Sequence, residues 1–154
     1  MKKLMLALLF MPFLFTSCDD DDTPQVNMSV TFSGCTRVGD ELYVVKGDTL
    51  FVEEIQIESL NGKESTVGPT TYFWNRRFVE TIYFAPYNYW FDTSMMATGR
   101  HLLQIQSTVL QVDASPATAF FSYPVRVVER VEDIPGGGEP TMLMITKKLE
   151  LEDD

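Results

Sequence analysis

The 154 residues carry 22 acidic against 12 basic side chains, a net charge of −10. A surface of that sign repels phosphate backbones, which excludes nucleic acid as a partner. Its two cysteines and one histidine form no Cys/His cluster of the kind zinc needs and no readable pairing of catalytic type.

At the N-terminus, Lys2 and Lys3 precede an apolar run from Leu4 to Phe15, broken only by Pro12. That run is shorter than the ~20 residues a spanning helix needs. A charged start, a short apolar core and the small residues Thr16 and Ser17 read as a secretory signal over 1–17. The break falls on Cys18. Thr16-Ser17-Cys18 resembles the lipobox of bacterial lipoproteins, with Phe15 where an aliphatic residue is commonest. The resemblance implies that Cys18 is acylated and becomes the first residue of the mature chain. Two or more acyl chains hold a protein on a membrane stably.

Asp19, Asp20, Asp21 and Asp22 follow at once. Four like charges in a row stay solvated and suit a spacer. The run also resembles the acidic export signal of Bacteroidetes lipoproteins, which implies an outer-membrane protein facing the cell exterior. Residues 18–25 are then a tether. Without Lys2 and Lys3 the body is more acidic still.

From here the chain reads as strands. Val26, Met28, Val30 and Phe32 alternate with Asn27, Ser29, Thr31 and Ser33, the period-two pattern of a half-buried strand, which Gly34 is expected to end. Gly39-Asp40 signals a turn. Leu42–Val45 is a short apolar strand. Thr49–Leu60 is longer, and its inward set slips from Leu50 and Val52 to Ile55 and Ile57, which predicts a bulge near Glu53-Glu54. Asn61-Gly62 is a strong turn dipeptide. Lys63–Pro69 reads as a polar loop.

Thr70–Trp74 is the next strand, closed by Asn75-Arg76-Arg77. Phe78–Ala85 alternates with Phe78, Ile82 and Phe84 on one side, until Pro86 interrupts it. Tyr87–Asp92 suits an edge strand. His101, Leu103, Ile105 and Val109 share one face of another. Ala119–Glu129 is the last clear strand, its Pro124 pointing to an edge or a bulge. No segment shows sustained helical periodicity.

About seven strands with turn signals between them predict an all-β fold, an antiparallel β-sandwich over 26–134. Gly47-Asp48-Thr49-Leu50, Tyr72-Phe73-Trp74 and Thr98-Gly99-Arg100-His101-Leu102-Leu103 resemble the second, third and sixth strands of an immunoglobulin-like sandwich. That resemblance implies a buried tryptophan at Trp74. His101 and Leu103 stand where a tyrosine and a cysteine are often found. The fold itself hosts many roles.

Chemistry-bearing residues are sparse. With Cys18 assigned to lipid, Cys35 has no disulfide partner and reads as a small semi-buried side chain. The lone His101 reads as a structural brace, its ring reaching a backbone carbonyl. Glu80, Asp92 and Asp113 are carboxylates that nothing in the sequence brings to a working separation. No metal ligands, cofactor motif or catalytic set emerges, so the expectation is a protein that is not an enzyme.

Two features suit binding. The first is the aromatic cluster around Tyr87, Tyr89 and Trp90, in which alternation points Tyr87, Tyr89 and Phe91 one way and Trp90 the other. Core packing at an edge is one account of it, and an exposed platform for a sugar ring or a partner protein is the other. The second is the tail over 135–154, where Gly136-Gly137-Gly138 forms a linker and Thr141–Thr146 is apolar. That tail suits a strand, a frayed helix or a disordered end, and as a strand it could add to a sheet edge. The reading is an outer-membrane lipoprotein acting as a structural or protein-interaction module. The alternative is a glycan-binding module that uses Tyr87, Tyr89 or Trp90. An exposed Trp90 ring would favour the glycan, and a buried Trp90 with an extended tail would favour assembly.

Overall fold

The structure is a computed structural model that describes residues 23–138 and 140–148. The signal segment, Cys18 and the Asp19–Asp22 run therefore lie outside the described residues.

Among the described residues nine strands form, in order: β1 (Val26–Val38), β2 (Glu41–Val45), β3 (Thr49–Ser59), β4 (Ser65–Trp74), β5 (Arg77–Ile82), β6 (Tyr89–Asp92), β7 (Gly99–Gln111), β8 (Ala117–Val128) and β9 (Thr141–Lys148). A 3₁₀ turn at Val131–Asp133 follows β8. One sheet runs β9-β1-β3-β6, antiparallel throughout. The other runs β5-β4-β7-β8-β2, antiparallel except where β2 lies parallel to β8. The end of β1 also pairs with β2, so one strand serves both sheets. First, third and sixth strands in one layer, with fourth, seventh and eighth in the other, is the strand order of an immunoglobulin-like sandwich.

Alternation decides which side chains meet. Val26, Met28, Val30 and Phe32 of β1 are buried, as are Leu103, Ile105 and Val109 of β7 and Phe121, Tyr123 and Val125 of β8. Phe32 meets Tyr123 edge to face, with centroids 4.8 Å apart. Large apolar rings interleaved from two sheets bury most of the surface that stabilises such a domain.

The slip expected in β3 is present. Thr31 pairs with Glu54 and Phe32 with Val52, leaving Glu53 as the extra residue of a bulge. Other expectations need correction. Gly34 does not end β1. With φ at +72° it carries the strand through a bend, and a Cβ there would lie 2.0 Å from the carbonyl oxygen of Thr49. Only glycine allows β1 to pass so close to β3 while crossing from one sheet to the other.

The supposed loop over Lys63–Pro69 is largely strand, since β4 begins at Ser65. Gly68 and Pro69 sit at a break in its pairing with β7, where the missing proline N–H does no harm. In β5 the pairing shifts between Tyr72 and Phe73, so Phe78 and Ile82 do not share a buried side. Phe78 and Phe84 are exposed.

Asn75 and Arg76, both with positive φ, form a two-residue turn between the paired Trp74 and Arg77. This is the geometry that matches strand twist in a tight hairpin. Pro124 stands one residue before β8 begins to pair with β2 at Val125, so β8 is locally an edge there. The tail is a strand: β9 lies on the outer edge of β1, with Leu143 and Ile145 packed against the core.

Candidate interaction surfaces

Trp90 sits on β6, a four-residue strand at the edge of the first sheet. β6 exists because its Phe91 is buried, anchoring the segment against Tyr72 and Trp74. Alternation then turns Trp90 outward, and it is 62% exposed.

Tyr87 and Tyr89 are employed differently. Tyr87 is half-buried, its hydroxyl donates to the Val67 carbonyl at 2.8 Å, and its own carbonyl accepts from the Tyr72 hydroxyl. Tyr89 packs against the core and stacks on Tyr72 with centroids 5.2 Å apart. Of the three residues singled out in the sequence, the structure therefore leaves Trp90 presented to solvent, stacked on Tyr89 with centroids 5.7 Å apart, and half-buries the two tyrosines.

Register brings further apolar side chains beside Trp90. Phe51 of β3 is directly opposite it. Ser33 of β1 is opposite Phe51, and Met142 of β9 lies beyond, between the paired Leu143 and Thr141. Phe51, Met142 and Met144 are all exposed. The result is a row of Trp, Phe and Met across four strands, with the small Ser33 between. Carboxylates border it. Glu53 accepts a hydrogen bond from the Ser33 hydroxyl, and Glu54 accepts one from Gln56 at 2.9 Å. Hydrogen bonds from the Ser94 backbone and side chain hold the Asp92 carboxyl below the usual carboxylate range.

The remaining candidates resolve into structural roles. His101 Nε2 lies 2.7 Å from the Ala97 carbonyl and Nδ1 lies 2.9 Å from the Asn75 amide. Those partners select the tautomer with the proton on Nε2. Asn75 also accepts from the Leu102 N–H, so the ring and the amide together brace the hairpin end of the second sheet. Trp74 is half-buried, sandwiched between Phe91 and His101 at 5.0 and 5.3 Å. The fully buried ring of its strand is Tyr72.

Cys35 is fully buried, not half-buried as expected, and burial pushes its thiol up to about 12. A thiol so protonated is a poor nucleophile. Glu80, Asp92 and Asp113 lie on β5, on β6 and in the β7–β8 turn. No cluster of three or more metal-ligating side chains occurs among the described residues.

A shallow depression at the same hairpin end is lined by Asn75, Arg76, Arg100, His101 and Leu102. Arg100 and Arg126 each donate to Glu41 at 3.1 Å. Burial raises the Glu41 carboxyl, but the hydrogen bond from Arg126 and the two nearby charges outweigh it and hold the group below its ordinary range.

Two polar nodes were not foreseen. Gln111 is buried, and its side chain ties the Gln25 backbone to Ser59, Asn61 and Ser65. Thr93 is buried too, and its hydroxyl donates to Asp48 O at 2.6 Å and accepts from Gly47 N–H. The signal for Gln111 was present, since it continues the inward parity of Leu103, Ile105 and Val109.

No family model matches this chain, and no curated protein matches it. Among solved structures it is similar to the fibronectin(III)-like modules of CbhA from Clostridium thermocellum, at 14% identity, over 62% of this chain and 94% of that one, with a TM-score of 0.35.

Proposed function

We propose that the chain is an outer-membrane lipoprotein, anchored through acylated Cys18 and facing the cell exterior, whose sandwich is a non-catalytic protein-interaction module. Exposure of Trp90 by itself favours the glycan; the observation that carries the interaction reading is that Trp90 does not stand alone but continues an exposed apolar row with Phe51 and Met142 on the first sheet. Tryptophan is a frequent energetic anchor of protein interfaces, and methionine adapts to an irregular partner. The carboxylates at its border suit a partner with a basic rim. The glycan alternative gains from the exposure of Trp90. It loses from Tyr87 and Tyr89, whose rings are committed to packing.

The test is a crosslinked pull-down of the native lipoprotein from outer membranes. The expected result is one stoichiometric membrane partner, lost on Trp90→Ala. A solitary protein in both samples overturns the interaction reading. Anchorage is checked separately: Cys18→Ser is expected to release the protein from the membrane fraction, and retention there refutes the anchor. Replacing Asp19–Asp22 with alanine is expected to protect the chain from protease added outside intact cells. Unchanged cleavage refutes the export signal.

A further inference from the structure

The opposite side of the sandwich, the outer face of β5, β4, β7 and β8, has a different character. Burial of Leu103, Ile105, Ser107 and Val109 turns Gln104 and Gln106 outward, and burial of Ala119, Phe121 and Tyr123 turns Phe120 and Ser122 outward. Register aligns two rows across four strands. One runs Thr81, Thr71, Gln106, Phe120, and the other Phe78, Phe73, Gln104, Ser122. Neither row contains a charged residue, although charged residues make up 22% of the chain. The outer face of the first sheet, by contrast, carries Glu54 and Glu58.

Few of the polar groups in these rows are engaged. Thr71 and Thr81 bond to each other at 2.9 Å. The carboxamides of Gln104 and Gln106 and the hydroxyl of Ser122 have no hydrogen-bond partner among the described residues. At one corner Phe78, 65% exposed, meets Phe73 edge to face. Phe120, 67% exposed, stands at the other. β4 and β8 are two strand spacings apart, roughly 10 Å, with the two glutamines between the rings.

We propose that this face binds a neutral polysaccharide. Exposed aromatic rings offer apolar faces on which sugar rings stack. A carboxamide offers a donor and an acceptor side by side, which matches adjacent sugar hydroxyls. The two rows themselves carry no charge to hold a polyanion, the Arg100 and Arg126 beyond them are paired with Glu41, and a polycation is drawn to the carboxylates of the other sheet. A dry protein contact would bury both carboxamides and strand whatever hydrogen-bonding groups it did not match. The proposal goes beyond the protein-partner reading: it uses neither Trp90 nor the anchor, so each can fail alone.

The test is binding of the native lipoprotein, in detergent micelles, to immobilised neutral polysaccharides: starch, mannan, xylan and a β-glucan. Polygalacturonate serves as the anionic control. The expected result is saturable binding to at least one neutral polymer and none to polygalacturonate. Gln104→Ala with Gln106→Ala should weaken binding roughly tenfold, as for the loss of one or two hydrogen bonds. Phe120→Ala should also weaken it, and Trp90→Ala should leave it unchanged. Matching thermal midpoints establish that the variants are folded. Absence of binding to every neutral polymer overturns the proposal, as does equal binding to polygalacturonate or undiminished binding by the glutamine double variant. A concentration-dependent dimer that Gln106→Arg dissociates assigns the face to a second copy of the chain, and overturns it too.

Discussion

Gly34→Ala is the sharpest test of how β1 crosses between the sheets. Two costs add. The first is conformational: φ is +72°, and an alanine held in the left-handed region costs about 1 kcal/mol. The second is steric. The new methyl would lie 2.0 Å from the Thr49 carbonyl oxygen, so backbone must move, at a further cost of roughly 2 kcal/mol by analogy with overpacked cores.

Gly62→Ala isolates the first cost. Its φ is +76°, and nothing lies within 4 Å of its missing Cβ. Unfolding entropy near 2.1 cal/mol/K per residue gives a domain of about 125 residues roughly 0.26 kcal/mol/K. Gly62→Ala should then lower Tm by about 4 °C and Gly34→Ala by about 12 °C. Thermal unfolding followed by circular dichroism measures both. Equal shifts would mean that β1 does not pass against Thr49, and the crossing would be wrongly drawn.

Three further outcomes are expected. Arg76→Gly should raise Tm by about 4 °C, because it removes a left-handed arginine from a tight hairpin. A decrease would mean that Arg76 makes a contact the geometry does not reveal. Tyr123→Phe should stabilise the fold by about 1 kcal/mol in urea titrations, since the buried Tyr123 hydroxyl has no hydrogen-bond partner among the described residues. Alkaline pH should destabilise the protein. Burial raises the Cys35 thiol from 9.0 to about 12, so the unfolded chain ionises first. Stability is then full below about pH 9 and falls toward pH 12, by up to about 1.4 kcal/mol per pH unit for each such group. Burial raises Tyr72 and Tyr123 as well, which steepens the fall. In urea midpoints against pH, a flat line for the unmodified protein, or no flattening on Cys35→Ala, would refute this.

What the sequence made legible was local. Period-two alternation marked β1, β3 and β7, and the slip from Val52 to Ile55 located the bulge at Glu53. Parity also set Trp90 apart from Phe91. What it missed depended on distant partners. Gly34 looked like a breaker because its reason for being glycine, the Thr49 carbonyl, arrives from another strand. Ser65–Pro69 looked like a loop because Val67 is its one large apolar residue, and pairing with β7 supplies what composition does not. The tail showed neither its state nor its target, since adding to β1 requires an edge that exists only once the sheet is built. The face of Gln104, Gln106 and Phe120 was invisible for the same reason: its rows are assembled from four strands.

β1 is also where the molecule would bear load. Under the proposed anchorage, any drag on the body is transmitted through residues 19–25 into the start of β1. Gln25 is clamped there by Gln111 and by the Leu60 N–H. Beyond it, β1 is zipped to β3 on one side and β9 on the other. A pull along the strand axis shears both ladders at once, whereas a pull from a strand end that peels sideways breaks one bond at a time. β9 thus makes the start of β1 a stiff end of the sandwich. Removing β9 would roughly halve the bonded length that resists extraction, and would also strip Leu143 and Ile145 from the edge of the core.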